Sequence, residues 1–195
     1  MSTLTVTEAE IPVELREQLD RIAAIKRDVL ELVDALSDEQ LNWRPDSGRW
    51  SIGQCLSHVI LSGGPYLARL DALVEEARQR ELSGLPPFRQ GMVSRWFIRS
   101  MEPPPRFKAK TFRSMEPRDS VRGEPLIREF VEFHDALAAR VRAMRGIDPD
   151  RARMNSPFFR PLRFTLGQAV ALLVTHARRH LWQARQVRQH PSFPG

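Results

Sequence analysis

Residues 165–189 have the sequence TLGQAVALLVTHARRHLWQARQVRQ, which decides the architecture of the chain. Apolar residues recur at helical spacing between Ala169 and Val187, and the stretch contains no proline. This pattern predicts one long amphipathic helix. Thr165, followed three residues later by Gln168, is the sequence of a capping box and predicts where the helix begins. A helix of this length must bury its apolar stripe against other helices.

The opening of this helix has a counterpart earlier in the chain. Residues 164–168 (FTLGQ) and 50–54 (WSIGQ) share the order aromatic, hydroxyl, aliphatic, glycine, glutamine. A second helix is therefore predicted from Ser51 to about residue 80. Apolar stripes predict two more helices, at about residues 12–36 and 125–145. Four such helices predict an all-α four-helix bundle, and the length of 195 residues predicts one domain over residues 1–195.

A long, proline-rich connection, residues 82–124, separates the second and third predicted helices. It contains five prolines in two runs, at residues 86–87 and 103–105, and a sixth at Pro117. A connection this long is usually functional or covers other structure. It could span the bundle end to end, in which case the second and third helices would run parallel. A short helical piece is expected at residues 92–100, and four aromatic residues predict that the connection packs on the bundle: Trp96, Phe97, Phe107 and Phe112.

The composition of the chain indicates the cellular compartment in which the protein is expected. The chain is 42% hydrophobic and 28% charged, which is typical of a soluble globular protein. No apolar run approaches the roughly 18 residues of a membrane span, and the first residues lack the features of a signal peptide. Cys55 is the single cysteine, which excludes an intramolecular disulfide. We expect a cytoplasmic protein with no membrane partner.

The formal net charge of +6 raises the question of nucleic-acid binding. The 30 basic residues are 27 arginines and three lysines, spread along the chain among 24 acidic residues without long runs of one sign. A surface that follows a phosphate backbone usually concentrates positive charge on one face or tail. We therefore expect a small-molecule substrate and no nucleic-acid partner. The sequence leaves a homodimer open.

Three histidines at helical positions are the strongest functional signal. His176 and His180 are four residues apart, so their imidazoles lie one turn apart on one helix face. His58 lies about two turns inside the helix that begins at Ser51. Such histidines can bind a divalent transition metal, since imidazole suits zinc, nickel, copper and iron, and three protein ligands leave coordination positions open, as in a catalytic site. The spacing equally allows histidines that are hydrogen-bonded in a polar core.

Other residues have weaker functional signals. Cys55, one turn before His58, could approach a metal but is more typical of a small core residue. His134 lies on the inward stripe of the third helix, where a hydrogen-bonded core histidine is favoured over a proton shuttle. Arg179 points about 100° away from His180, which favours a solvated or ion-paired side chain. His190 is expected to be exposed, and three tryptophans could line a pocket or simply pack at the bundle ends: Trp43, Trp50 and Trp182.

Two segments resemble the signatures of the DinB-like superfamily, which includes the DinB/YfiT-type metal-dependent enzymes. Residues 41–45 (LNWRP) and 48–58 (GRWSIGQCLSH) resemble the N-terminal signature, and residues 165–168 (TLGQ) and 176–184 (HARRHLWQA) resemble the C-terminal one. The resemblance covers nearly the whole chain. It implies a four-helix bundle in which His58, His176 and His180 bind a divalent metal, often nickel or zinc. Related members include transferases and isomerases that use bacillithiol or mycothiol, and the family name does not imply DNA binding.

The sequence therefore predicts a metal-dependent enzyme of the hydrolase or thiol-dependent transferase class. Its metal would activate water or a low-molecular-weight thiol, and no further catalytic residue is assigned. The alternative is a non-catalytic module, either a metal or small-molecule binder or a bundle retained for dimerisation.

Overall fold

The computed structural model describes residues 11–84, 86, 96, 98–104, 111, 115–117, 119–159 and 161–195. Its main elements in chain order are α1 (Val13–Val33), α2 (Asp38–Asn42), α3 (Ile52–Gln79), α4 (Gly123–Ala143), β1 (Arg153–Asn155), β2 (Arg163–Thr165) and α5 (Leu166–Arg188). Helices α1, α3, α4 and α5 pack together as the predicted four-helix bundle. The long connection between the second and third bundle helices, α3 and α4, is also as predicted.

Helices α3 and α4 run parallel. A Cβ on Gly53, at the start of α3, would meet the side chain of Val121, just before α4. Ten residues later, a Cβ on Gly63 would meet the ring of Phe133, which is twelve residues beyond Val121. The two helices therefore advance together, because the connection returns the chain to the end of the bundle where α3 began.

Helix α5 runs antiparallel to α3 and parallel to α1. Tyr66, in the middle of α3, lies near Phe164, which directly precedes the cap of α5. His58, near the start of α3, lies near His180, more than three turns into α5. Along α1, Asp28 pairs with Arg185, and the carbonyl of Leu32 accepts a hydrogen bond from Arg188. The first and fourth bundle helices therefore point one way, and the second and third point the other way.

Both predicted helix starts are capping boxes. At α3, the Ser51 hydroxyl accepts from the backbone N–H of Gln54 at 3.0 Å, and the Gln54 side chain accepts from the Ser51 N–H at 3.1 Å. Thr165 and Gln168 make the same two bonds at α5, at 3.2 and 2.9 Å. A third box, Ser37 with Gln40, begins the short helix α2, which the sequence analysis missed although the same signal is present.

Gly53 has a packing role in the shared helix-opening motif. A Cβ there would lie 2.3 Å from the Val121 side chain and 3.1 Å from the carbonyl oxygen of Leu41. The backbone of α3 therefore approaches α2 and the end of the connection more closely than any larger residue allows. This contact fixes the end of the bundle from which His58 projects.

A short hairpin was not predicted. Strands β1 and β2 pair antiparallel, with Met154 opposite Phe164, directly before α5. Three residues per strand are too few to show the alternation by which strands are recognised in a sequence. The hairpin is attached to α3 because the hydroxyl groups of Tyr66 and Ser156 are hydrogen-bonded at 3.2 Å.

The connection contacts the bundle, but not through Trp96. That side chain is 68% exposed, which contradicts the predicted packing, whereas Ile98 is buried. Residues 98–100 are helical, as expected for part of the predicted short piece. The other three aromatic residues proposed as packing contacts, Phe97, Phe107 and Phe112, lie outside the described residues. Of the helices described, none has a segment both long and apolar enough to cross a membrane.

Candidate metal centre

The antiparallel packing of α3 and α5 brings the three predicted histidines together. His58 projects from the first third of α3, His176 from the middle of α5 and His180 from the second half of α5. One ring nitrogen from each lies within 4.8 Å of those of the other two. His58 and His180 are buried, and His176 is half-buried. We call these three residues the histidine triad.

The nitrogen separations match the spacing of ligands around one small cation. Nε2 of His176 lies 3.3 Å from Nε2 of His58 and 3.1 Å from Nε2 of His180. Nitrogens bound to zinc at 2.0–2.1 Å in tetrahedral geometry are about 3.3 Å apart from one another. The donor set also suits the metal, since imidazole binds zinc, nickel, copper and iron.

Hydrogen bonds at the far side of two rings define where their protons lie. Nδ1 of His58 is 2.7 Å from the carbonyl oxygen of Met115, which can only accept, so Nδ1 carries the proton. Nδ1 of His180 is 3.1 Å from Oε1 of Gln183, which favours the same tautomer. A neutral imidazole carries one ring proton, so both residues present an Nε2 lone pair toward His176.

With these tautomers, the triad has too few protons for both of its Nε2–Nε2 contacts to be hydrogen bonds. His176 can place at most one proton on Nε2, so it can donate to His58 or to His180 but not to both. At least one of the two short contacts is then between two lone pairs. A cation between the three nitrogens would turn this repulsion into coordination, so the residues present fit a metal ion.

Burial keeps the triad neutral. It lowers the pKa of His176 to about 3, helped by the neighbouring His58 and by Arg179. It also lowers the pKa of His58 and moves the pKa of His180 well below its ordinary value. Neutral imidazole is the form that binds metal ions, so near neutral pH no proton has to leave before a metal binds.

Trp50 forms an aromatic wall beside the triad. Its ring centroid lies 4.7 Å from that of His58 and 5.6 Å from that of His180. The residue directly precedes the Ser51 cap, so the capping box that starts α3 also fixes the position of this wall. Trp43, by contrast, packs at the bundle end against Phe193 and His190, which makes His190 half-buried rather than exposed as predicted.

The connection is attached to both helices of the triad. Glu102 contacts two residues of α5 on either side of His176 in the sequence. It lies 2.7 Å from the guanidinium of Arg178 and accepts a hydrogen bond from the Thr175 hydroxyl. Met115 makes the contact with His58 on α3. Arg179 is half-buried rather than fully solvated, and burial lowers its pKa.

Cys55 and His134 do not join the triad in the ligand group formed by the described residues. Cys55 is fully buried in the core, and burial raises the pKa of its thiol, so the thiolate that would bind a metal is disfavoured. His134 is a core residue whose Nδ1 bonds the Phe130 carbonyl at 2.8 Å. Both outcomes agree with the interpretation that the sequence favoured.

Two contributors to the site were not assigned by the sequence analysis. Gln183 is the first, and its position three residues after His180 on the same helix is a signal that the sequence carries. The carbonyl of Met115 could not have been found, because it belongs to the backbone of a connection without periodicity. Only the tertiary structure places it next to His58.

Comparisons with known proteins agree with this architecture. A family model described as the DinB superfamily matches residues 21–184. An uncharacterized protein of Bacillus subtilis (strain 168), YuaE, is 25% identical over 162 residues, which is 79% of this chain and 86% of that protein.

Among solved structures, YfiT from Bacillus subtilis superposes with a TM-score of 0.58 at 16% identity, over 92% of this chain and 89% of that one. It is described as a probable metal-dependent hydrolase with an unusual four-helix bundle topology. At this identity the likeness shows the fold. Because the family model spans most of the sequence and both signature segments, the chain belongs to the DinB superfamily.

Proposed function

We propose that the chain is a metal-dependent enzyme in which His58, His176 and His180 bind one divalent transition metal ion, zinc or nickel, through Nε2. The observation that carries this proposal is the lone-pair conflict within the triad. Two rings have their protons on Nδ1, and His176 has one proton for two contacts of 3.1 and 3.3 Å. When bound, the ion would act as a Lewis acid that activates water or a low-molecular-weight thiol.

The surroundings of the triad favour an anionic ligand at the open positions. Three neutral imidazoles leave the double positive charge of the ion uncompensated. The group of convergent ligands formed by the described residues contains no carboxylate. Arg179 adds positive charge, since it is close enough to His176 and His180 to lower their pKa values. A deprotonated water or a thiolate would be stabilised there in preference to its neutral form.

Trp50 contributes by excluding water from one side of the site. Its ring covers two of the three ligands, so a substrate would approach from another direction and would meet an apolar surface next to the reactive position. Low solvent access strengthens electrostatic interactions with the ion. This arrangement supports chemistry on a small molecule.

Hydrolysis and thiol-dependent transfer are the two reaction classes we retain. The description of YfiT as a probable metal-dependent hydrolase supports the first, and the positive charge that would favour a thiolate supports the second. The rival proposal is a non-catalytic module that binds a metal or a small molecule, or that serves in a homodimer. It is favoured because, among the described residues, no carboxylate or thiol joins the three histidines in one ligand group.

A paired metal and turnover measurement tests the proposal. Purified protein should carry close to one divalent metal ion per chain by elemental analysis. It should then be assayed on a panel of esters and amides, and on electrophiles with and without a low-molecular-weight thiol. Turnover that disappears in His180→Ala and persists in His190→Ala supports the enzyme. Bound metal without turnover in either panel supports the non-catalytic module, and a wild-type chain without metal contradicts both metal-based proposals.

A further inference from the structure

Gln183 contacts one triad histidine on the side that faces away from the other two. It follows His180 by three residues on α5, so the two side chains lie on neighbouring turns of one helix face. Its Oε1 is 3.1 Å from Nδ1 of His180, while Nε2 of the same ring is 3.1 Å from Nε2 of His176. One nitrogen of His180 is therefore held by Gln183, and the other faces the triad.

We propose that Gln183 is a positioning residue for the metal centre: its side-chain oxygen holds the proton of His180 on Nδ1 and so keeps the Nε2 lone pair directed at the metal position. The inference rests on the proposed metal site. Partners of this kind fix the tautomer and the ring orientation of metal-binding histidines in general.

Helices α3 and α5 fix the tautomers of their histidines with different acceptor groups. His58 is held by a backbone carbonyl, that of Met115, which no side-chain substitution removes. His180 is held by the side chain of Gln183 on its own helix, so a substitution of Gln183 can remove or replace this hydrogen-bond acceptor. Gln183 is also uncharged, so it orients the ring without reducing the positive charge that the site offers to an anionic ligand.

Three variants separate this role from general packing. Gln183→Leu keeps a side chain of similar size and removes the acceptor. Gln183→Glu keeps an oxygen acceptor at the end of a side chain of the same length. Gln186→Leu is the matched control, because Gln186 is an exposed glutamine three residues further along the same helix. Circular dichroism should give equal helicity for all three.

The first measurement is affinity for Zn²⁺ alone, by competition with a chromophoric chelator. We expect Gln183→Leu to bind zinc about 10- to 100-fold more weakly than wild type, as is usual when such a partner is lost. Gln183→Glu should bind at least as tightly as wild type, and Gln186→Leu should stay within about twofold. Equal affinity of Gln183→Leu and wild type would overturn the proposal.

The second measurement is the tautomer of His180 in the metal-free protein, by ¹⁵N NMR of the imidazole. Wild type and Gln183→Glu should carry the proton on Nδ1, whereas Gln183→Leu should shift it toward Nε2. An unchanged tautomer in Gln183→Leu contradicts the positioning role. Failure of the wild-type chain to bind zinc would instead contradict the proposed function, and the tautomer would still decide the role of Gln183.

Discussion

Two histidine environments in this protein share lowered pKa values and differ in chemistry. The triad of His58, His176 and His180 lies between α3 and α5, and His134 lies on α4 with its side chain fully buried. Burial lowers the pKa of His176 to about 3 and that of His134 to about 4. Each is therefore neutral near pH 7.

The two environments differ in what surrounds Nε2 of each histidine. In the triad, three Nε2 atoms converge at separations that suit one cation. Nε2 of His134 is buried without a hydrogen-bond partner among the described residues, and the ring packs against Phe130 and Phe133. A buried histidine with a lowered pKa is therefore not by itself a candidate functional site; convergence of lone pairs from different helices is what makes the triad a candidate.

The largest expected difference between the two environments is in metal content. His58→Ala, His176→Ala and His180→Ala should each lose most of the bound metal, because two nitrogen ligands cannot hold a divalent ion as three do. His134→Ala and His190→Ala should keep it. Elemental analysis of the five purified variants measures this directly. If all three triad variants kept their metal, the site would have to lie elsewhere.

The next largest expected effect is the stability that a bound metal ion would supply. A ligand that binds the folded state alone stabilises it by about 4 kcal/mol when its concentration is a thousand times its Kd. Chelation should therefore lower the melting temperature of wild type and leave that of His176→Ala unchanged. The far-UV circular dichroism spectrum at 25 °C should stay helical, because the core includes large apolar side chains that are fully buried without any metal, such as Phe130, Leu137 and Leu70. Loss of helicity on chelation would show that the metal is structural.

His134 should contribute to acid sensitivity without affecting the metal. Its pKa is about 4 in the folded chain, below the ordinary value near 6.5, so the unfolded chain binds more protons between these values. Stability is then fully present above about pH 6.5 and falls as the pH is lowered toward 4. From pH 7 to pH 5 the loss should be about 2 kcal/mol.

Urea unfolding of wild type and His134→Leu, both metal-free, isolates this contribution. The leucine variant should lose about 2 kcal/mol less between pH 7 and pH 5, because the other histidines contribute equally to both proteins. An identical loss in the two proteins would show that His134 is not the buried neutral group described above.

The smallest effect concerns the ion pair beside His134. Lys26 on α1 pairs with Asp135 on α4, and the two charges act on the pKa of His134 in opposite directions. Lys26→Met should change the free energy of unfolding at pH 7 by less than about 1 kcal/mol, since partly exposed ion pairs contribute little. Zinc affinity should not change. A loss of several kcal/mol in urea unfolding would contradict the weak role assigned to this pair.

Local sequence determined where the bundle helices that carry the triad begin. Ser51 with Gln54 and Thr165 with Gln168 form capping boxes from side chains three residues apart, and that geometry needs no distant contact. The spacing of His176 and His180 placed them on one helix face for the same reason. Amphipathic periodicity was enough to predict four packed helices.

The tertiary structure alone decided how those helices meet. The parallel course of α3 and α4 depends on the connection and on the close approach at Gly53, which involve residues far apart in the chain. His58 is 118 residues from His176, so only the antiparallel packing of α3 and α5 brings their nitrogens to 3.3 Å. The tautomer of His58 depends on the Met115 carbonyl, a backbone group that every residue type carries. Such contacts leave no pattern in a sequence, because they are fixed by where the chain folds and not by which side chain it presents.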